Sequence, residues 1–128
     1  MSPRFFTLDE ANTALETIRP LMDEAQAIRA RILDQQPDIW PALERAAGNG
    51  GSAVLSKTIK EFDRLNEIVH RILATGAQLK DLNTGLLDFP ARRMDREVLL
   101  CWKHGEPEVL FWHETDAGFA GRRPISEF

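Results

Sequence analysis

The chain has 128 residues, of which 43% are hydrophobic and 28% charged; this is the size and balance of one globular domain, and it excludes wholesale disorder or a disulfide scaffold. One cysteine, Cys101, leaves no internal disulfide and no multi-cysteine zinc site within a chain, and no window approaches the roughly 18 apolar residues of a membrane-spanning helix. The formal net charge of −4 divides as −3 over residues 1–48, +1 over 49–87 and −2 over 88–128, so no basic stripe exists to neutralise phosphates and the balance argues against nucleic acid as a partner.

Thr7-Leu8-Asp9-Glu10 has the form of a capping box and predicts a helix start. Leu8, Ala11, Leu15, Ile18, Met22, Ala25 and Ile32 then recur at helical spacing, giving a first helix over about 8–34. Pro20 removes one backbone hydrogen bond and predicts a kink near Glu16–Pro20 rather than an end. Pro37, Pro41 and Gly48-Asn49-Gly50-Gly51 mark a connection, with a short helical turn predicted over 39–43.

Ser52 is the expected cap of a second helix, about 53–76, in which Leu55, Ile59, Phe62, Leu65, Val69, Ile72 and Leu73 share a side. Gly76 is placed to close it, and Lys80 to Gly85 reads as an exit turn. The remainder, about 86–125, has extended character. Leu86–Phe89 runs into Pro90, which suits a strand edge or end. Arg96–Lys103 and Glu108–His113 flank a His104-Gly105-Glu106-Pro107 turn and read as a hairpin. Setting Lys103 against Glu108 pairs Trp102 with Val109, Leu100 with Phe111 and Val98 with His113. The tail carries one large apolar anchor, Phe119, and is expected to pack back.

The fold expected from these elements is α+β, one domain over 1–128, with a long antiparallel helical hairpin on a small antiparallel sheet of three or four strands. Two helices of about 25 residues would each run about 38 Å, the full width of a compact chain of this size. The helical pair would outrun its sheet, and a homodimer through these helices is the expectation.

The strings Phe6 to Asn12, Lys80 to Pro90, Leu100 to Glu108 and Trp112 to Pro124 resemble a small bacterial cytosolic family known as domain of unknown function 2203. The resemblance covers nearly the whole chain, with the connection around 37–51 its least characteristic part and the last string its most specific. It agrees with a cytoplasmic protein, a location also suggested by the absence of a signal-peptide pattern after Met1. It implies no activity and carries over no catalytic residue.

Three polar groupings compete with bland readings. His113, Glu97 and Asp116, with Asp88 and Glu114 near and Cys101 beside them, could hold zinc or another divalent cation or a histidine base; the alternative is a histidine hydrogen-bonded at a sheet end. Gly118 to Pro124 offers the forked donors of Arg122 and Arg123 to a carboxylate or phosphate, with Asp88 and Trp102 nearby; the alternative has the arginines bridging Asp88, Glu97 or Asp116 internally. Glu67-x-x-His70 with Asp63, completed by Glu16 or Asp23, resembles a bundle metal motif, but a single motif among surface charges is weak evidence and a solvated charged face is the favoured reading. Trp102, Trp112, Phe89, Phe111 and Phe119 read as core before pocket, and Cys101 as an inert buried thiol. The functional expectation is a non-enzymatic homodimer with a metal- or anion-binding site in its carboxy-terminal third. The rival is a helical module that recognises another protein, its carboxy-terminal part purely structural.

Overall fold

Thr7 caps the first helix as its sequence dictates: its hydroxyl accepts the Glu10 amide at 3.1 Å and the Glu10 carboxylate accepts the Thr7 amide at 2.9 Å. That backbone hydrogen bond, before the Thr7 hydroxyl, holds the Glu10 carboxyl below its usual pKa. A computed structural model describes residues 4–35 and 53–127. Within them the elements are α1 (Leu8–Asp34), α2 (Ala53–Ala74), β1 (Gln78–Asp81), β2 (Leu86–Arg93), β3 (Arg96–Lys103), β4 (Phe111–Glu114) and β5 (Arg123–Pro124), with 3₁₀ turns at Phe119–Gly121 and Ile125–Glu127. The turn expected over 39–43, the Gly48–Gly51 connection and the Ser52 cap lie outside the described residues. No helix among the described residues is long and apolar enough to cross a membrane.

The fold is α+β, and its sheet has five antiparallel strands in the order β1-β2-β3-β4-β5, not three or four. Neither added edge strand carries an apolar alternation. Gln78-Leu79-Lys80-Asp81 has one apolar residue in four, and β5 is two residues ending in a proline. Pro90 stands inside β2 rather than at its end, because β1 pairs only as far as Asp88 and the proline's missing donor faces beyond that limit. There its carbonyl accepts the Phe6 amide at 2.7 Å, so the amino-terminal segment continues the edge.

The helices form a hairpin over one sheet face. Ala11, Leu15, Ile18, Met22, Ala25 and Ile28 of α1 and Leu65, Ile68 and Ile72 of α2 enter one core with Leu87, Phe89, Val98, Leu100, Trp102 and Trp112 of the sheet. Arg64 of α2 grips Glu24 of α1 at 2.5 and 2.8 Å and holds that carboxyl below its usual pKa. Both groups are more than a third exposed, so solvent screens the pair and it orients the two helices more than it stabilises them. α1 passes unbroken through Pro20, which is exposed, so the Glu16 carbonyl it deprives can turn to water.

A second stripe of α1 fastens the sheet's loops. Asn12 accepts the Val109 amide at 2.8 Å, Arg19 donates to the Pro107 carbonyl, Asp23 meets His104 at 2.6 Å, Gln26 donates to the Leu82 carbonyl and Arg29 to Asn83. These residues sit at steps of seven, four, three and three, hence on one side of the helix. Their grip on residues 104–109 explains why the final hairpin is wide rather than tight. β4 starts only at Phe111, and its register is Val98↔Glu114, Leu99↔His113, Leu100↔Trp112 and Cys101↔Phe111. The pairing expected from Lys103 against Glu108 is therefore wrong by one residue. The observed register places both indoles, Trp102 and Trp112, in the helix-facing core, and a one-residue slip moves every side chain of a strand to the other face.

Gly85 is required where the β1–β2 turn meets the β3–β4 loop. Its φ is +70°, and a Cβ there would lie 2.5 Å from the His104 Cβ. Gly85→Ala is expected to cost about 1–3 kcal/mol through left-handed strain and this collision, measured as a lower midpoint in urea with an unchanged slope.

Candidate functional site

The same slip that buries Trp112 turns His113 onto the opposite face of the sheet, where Asp88 of β2 and Cys101 of β3 also point. Asp88 and Cys101 are cross-strand partners, and Leu99, two residues from Cys101, faces His113. The three polar side chains thus cross three adjacent strands. Asp88 and His113 are each 2% exposed and Cys101 is fully buried. One ligand atom from each, the Asp88 carboxylate, the Cys101 Sγ and a His113 ring nitrogen, all lie within 4.8 Å of one another. Among the described residues this is the only group of three or more histidine, cysteine or acidic side chains so placed.

Hydrogen-bond arithmetic fixes the histidine. Nδ1 lies 2.7 Å from the Glu114 carbonyl, which can only accept, so Nδ1 carries a hydrogen. Nε2 lies 3.0 Å from Asp88 Oδ1. A carboxylate facing a bare ring nitrogen would set two acceptors against each other, so a proton lies between them and the buried pair has no net charge. The imidazole is thereby held in one orientation, with Nε2 turned toward the cluster.

Cys101 is kept as a thiol. Its burial, and next the Asp88 charge, push its pKa up to about 12, with the Arg122 guanidinium partly opposing them. A thiol that ionises at about 8.5 when unfolded and near 12 when folded keeps its proton longer in the native state. Stability from this group is whole below about pH 8.5 and declines as pH rises toward 12, at up to about 1.4 kcal/mol per pH unit. Denaturation of the native protein across that window should therefore show a steeper loss of stability than Cys101→Ser. An equal slope would contradict the shift.

Above the cluster is a pocket of about 220 Å³, with Asp88, Leu99 and His113 as its buried part and Lys80, Thr115 and Phe119 at its exposed edge. Lys80 of β1 and the tail form this edge. Arg122 donates to both Glu106 oxygens at 2.6 and 2.9 Å, and its guanidinium lies over the Phe111 ring at 4.0 Å and the Phe119 ring at 4.7 Å. Glu106 also accepts the Lys103 amide at 2.6 Å, while the Ile125 amide reaches the Leu110 carbonyl at 2.8 Å.

The remaining expected residues lie elsewhere. Glu97 is exposed and opposite Arg92, two positions beyond Leu99 on the outer face, and Asp116 is exposed in the turn after β4. Neither belongs to the group that converges with His113; the corrected register carries Glu97 past His113, and β4 ends before Asp116. Arg122 bridges Glu106 rather than Asp88, Glu97 or Asp116, because the wide β3–β4 loop folds Glu106 back toward the tail. Arg123 is exposed, 5.4 Å from the Trp112 ring, so the two guanidinium groups do not form a joint fork. Trp102 is fully buried in the core, its Nε1 donating to the Glu106 carbonyl, and its edge lines a separate pocket of about 250 Å³ with Arg19, Asp23 and His104. Asp63, Glu67 and His70 are exposed on α2; Arg64 pairs with Glu67, Asp23 with His104, and Glu16 is exposed. Cys101 stands beside the expected set but reads there as an inert thiol, because its apolar strand gives it no polar signature; its place as a third convergent group follows from the observed register, which pairs it with Asp88 and sets Leu99, two residues away, opposite His113.

A protein family described as "Uncharacterized conserved protein (DUF2203)" matches residues 4–125. No curated protein and no solved structure matches the chain.

Proposed function

The chain belongs to this family of uncharacterised conserved proteins, and we propose that it binds one divalent metal ion, zinc by ligand type, through Asp88, Cys101 and His113. The observation that carries the reading is the convergence of three chemically different ligand atoms within 4.8 Å on a buried sheet face. Mixed sulfur, nitrogen and oxygen donors suit zinc, whose bonds of about 2.0–2.3 Å set tetrahedral ligands about 3.4–3.7 Å apart. The 3.0 Å between Nε2 and Oδ1 needs to open by only a few tenths of an ångström. The Glu114 carbonyl on Nδ1 is the outer hydrogen bond that metal-binding histidines commonly make. Three protein ligands leave one position free, on the side of the 220 Å³ pocket.

Two protons must leave when metal enters, the thiol proton and the proton shared by Asp88 and His113, so affinity should rise with pH. Zinc titrated into chelator-treated protein is expected to bind at one equivalent, releasing about two protons in buffers of differing ionisation heat. Cys101→Ser and His113→Asn should each weaken binding by roughly 100-fold or more. Binding unaltered by Cys101→Ser, or no binding by the native chain, would leave the Asp88–His113 pair as a structural clamp.

A further inference from the structure

The apolar side of α2 divides into two stripes. Leu65, Ile68 and Ile72 enter the core, whereas Ile59, Phe62 and Leu73 are 51%, 48% and 44% exposed. With Asn66 and the half-buried Val69, the exposed stripe reads 59, 62, 66, 69, 73, steps of three, four, three and four. That is the spacing of a helix-pairing seam. We propose that this stripe packs against the same stripe of a second copy of the chain, with the two α2 helices antiparallel.

Its polar flank identifies the occupant. Asp63 and His70 are both exposed, seven residues apart, and lie on the same edge of the seam. When one helix is reversed against its copy so that Phe62 faces the partner's Leu73 and Asn66 the partner's Val69, Asp63 meets the partner's His70, and the symmetry makes the contact twice. A parallel pairing would put this edge of the two helices on opposite sides of the seam, so Asp63 and His70 would not meet across it. The same reversal brings the two Asn66 side chains together near the dyad, where one amide can donate to the other and fix the register. A flank that complements itself only on reversal selects a second copy over an unrelated helix.

The seam runs fifteen residues, about 21 Å, and offers on the order of 400 Å² per protomer, half of the roughly 800 Å² common in stable complexes. The dimer should therefore be concentration-dependent, dissociating in the micromolar range. Sedimentation equilibrium between roughly 1 and 500 µM should show the mass rising from 14.5 kDa toward twice that value. Phe62→Glu, and independently Leu73→Lys at the far end of the seam, should remain monomeric throughout with unchanged helical circular dichroism. His70→Asp should weaken the dimer about tenfold, and the exchange Asp63→His with His70→Asp should restore it. A native chain monomeric at the highest concentration, or a dimer indifferent to both seam variants, overturns the proposal. An exchange that fails to restore association overturns the antiparallel arrangement. Zinc binding, on the far face of the sheet, is read separately and should be unaffected by any of these substitutions.

Discussion

His113→Ala is expected to destabilise the metal-free protein by about 3–5 kcal/mol, because it strands the Asp88 carboxylate in a site that is 2% exposed. In the native protein the carboxylate and imidazole share one proton, and the Glu114 carbonyl satisfies the other ring nitrogen. Without the ring, Asp88 must be buried as an unpaired charge or stay protonated with half its hydrogen bonding lost. A cavity the size of an imidazole adds to the cost. Asp88→Asn makes the control, since an amide can donate to Nε2 in place of the shared proton, and it should cost about 1 kcal/mol or less. Chemical denaturation of the two variants at pH 7 checks the contrast. Similar losses in both would show that volume rather than charge pairing governs this face.

Arg122→Ala should follow closely, at about 2–4 kcal/mol. The guanidinium is mostly buried, grips both Glu106 oxygens and lies within 5 Å of two aromatic rings. Removing it leaves Glu106 with only the Lys103 amide as partner and takes away the cation on which Phe111 and Phe119 both pack. Arg122→Lys should recover less than half of the loss, because an ammonium is a point charge that cannot span both oxygens while stacking on the rings. Hydrogen exchange gives the local readout: amides near Phe119–Gly121 and the Ile125 amide should exchange faster in the alanine variant while those of α1 stay protected. Loss of protection across the whole chain would make Arg122 a global rather than a tail anchor.

The helices were legible because their signals are local. Thr7 and Glu10 lie one turn apart, and the apolar steps of α1 are three and four. On α2 one apolar side was visible, but its division between core and solvent depends on how far α2 rolls against α1, which Arg64–Glu24 and Arg31–Glu61 help to set across distant sequence. The β4 register differs from the one its sequence predicts for the same reason: the contacts that widen its loop come from Asn12, Arg19 and Asp23, some ninety residues earlier. That single slip decided the site. It moved His113 from the face of Val98, Leu100 and Trp102, where the expected pairing sets it, to the face of Asp88 and Cys101, and left Glu97 outside the cluster. A lone Asp in Leu86-Leu87-Asp88-Phe89 and a lone His after Phe111-Trp112 do announce buried polar groups that must find partners. Which partners they find is a matter of strand order and register.

X-ray absorption at the zinc edge of the loaded protein tests the central claim most directly. The Asp88–Cys101–His113 centre predicts one sulfur at about 2.3 Å with nitrogen and oxygen scatterers at about 2.0–2.2 Å, four ligands in all. A six-coordinate shell of oxygen and nitrogen without sulfur, or zinc that washes out on desalting, would contradict it.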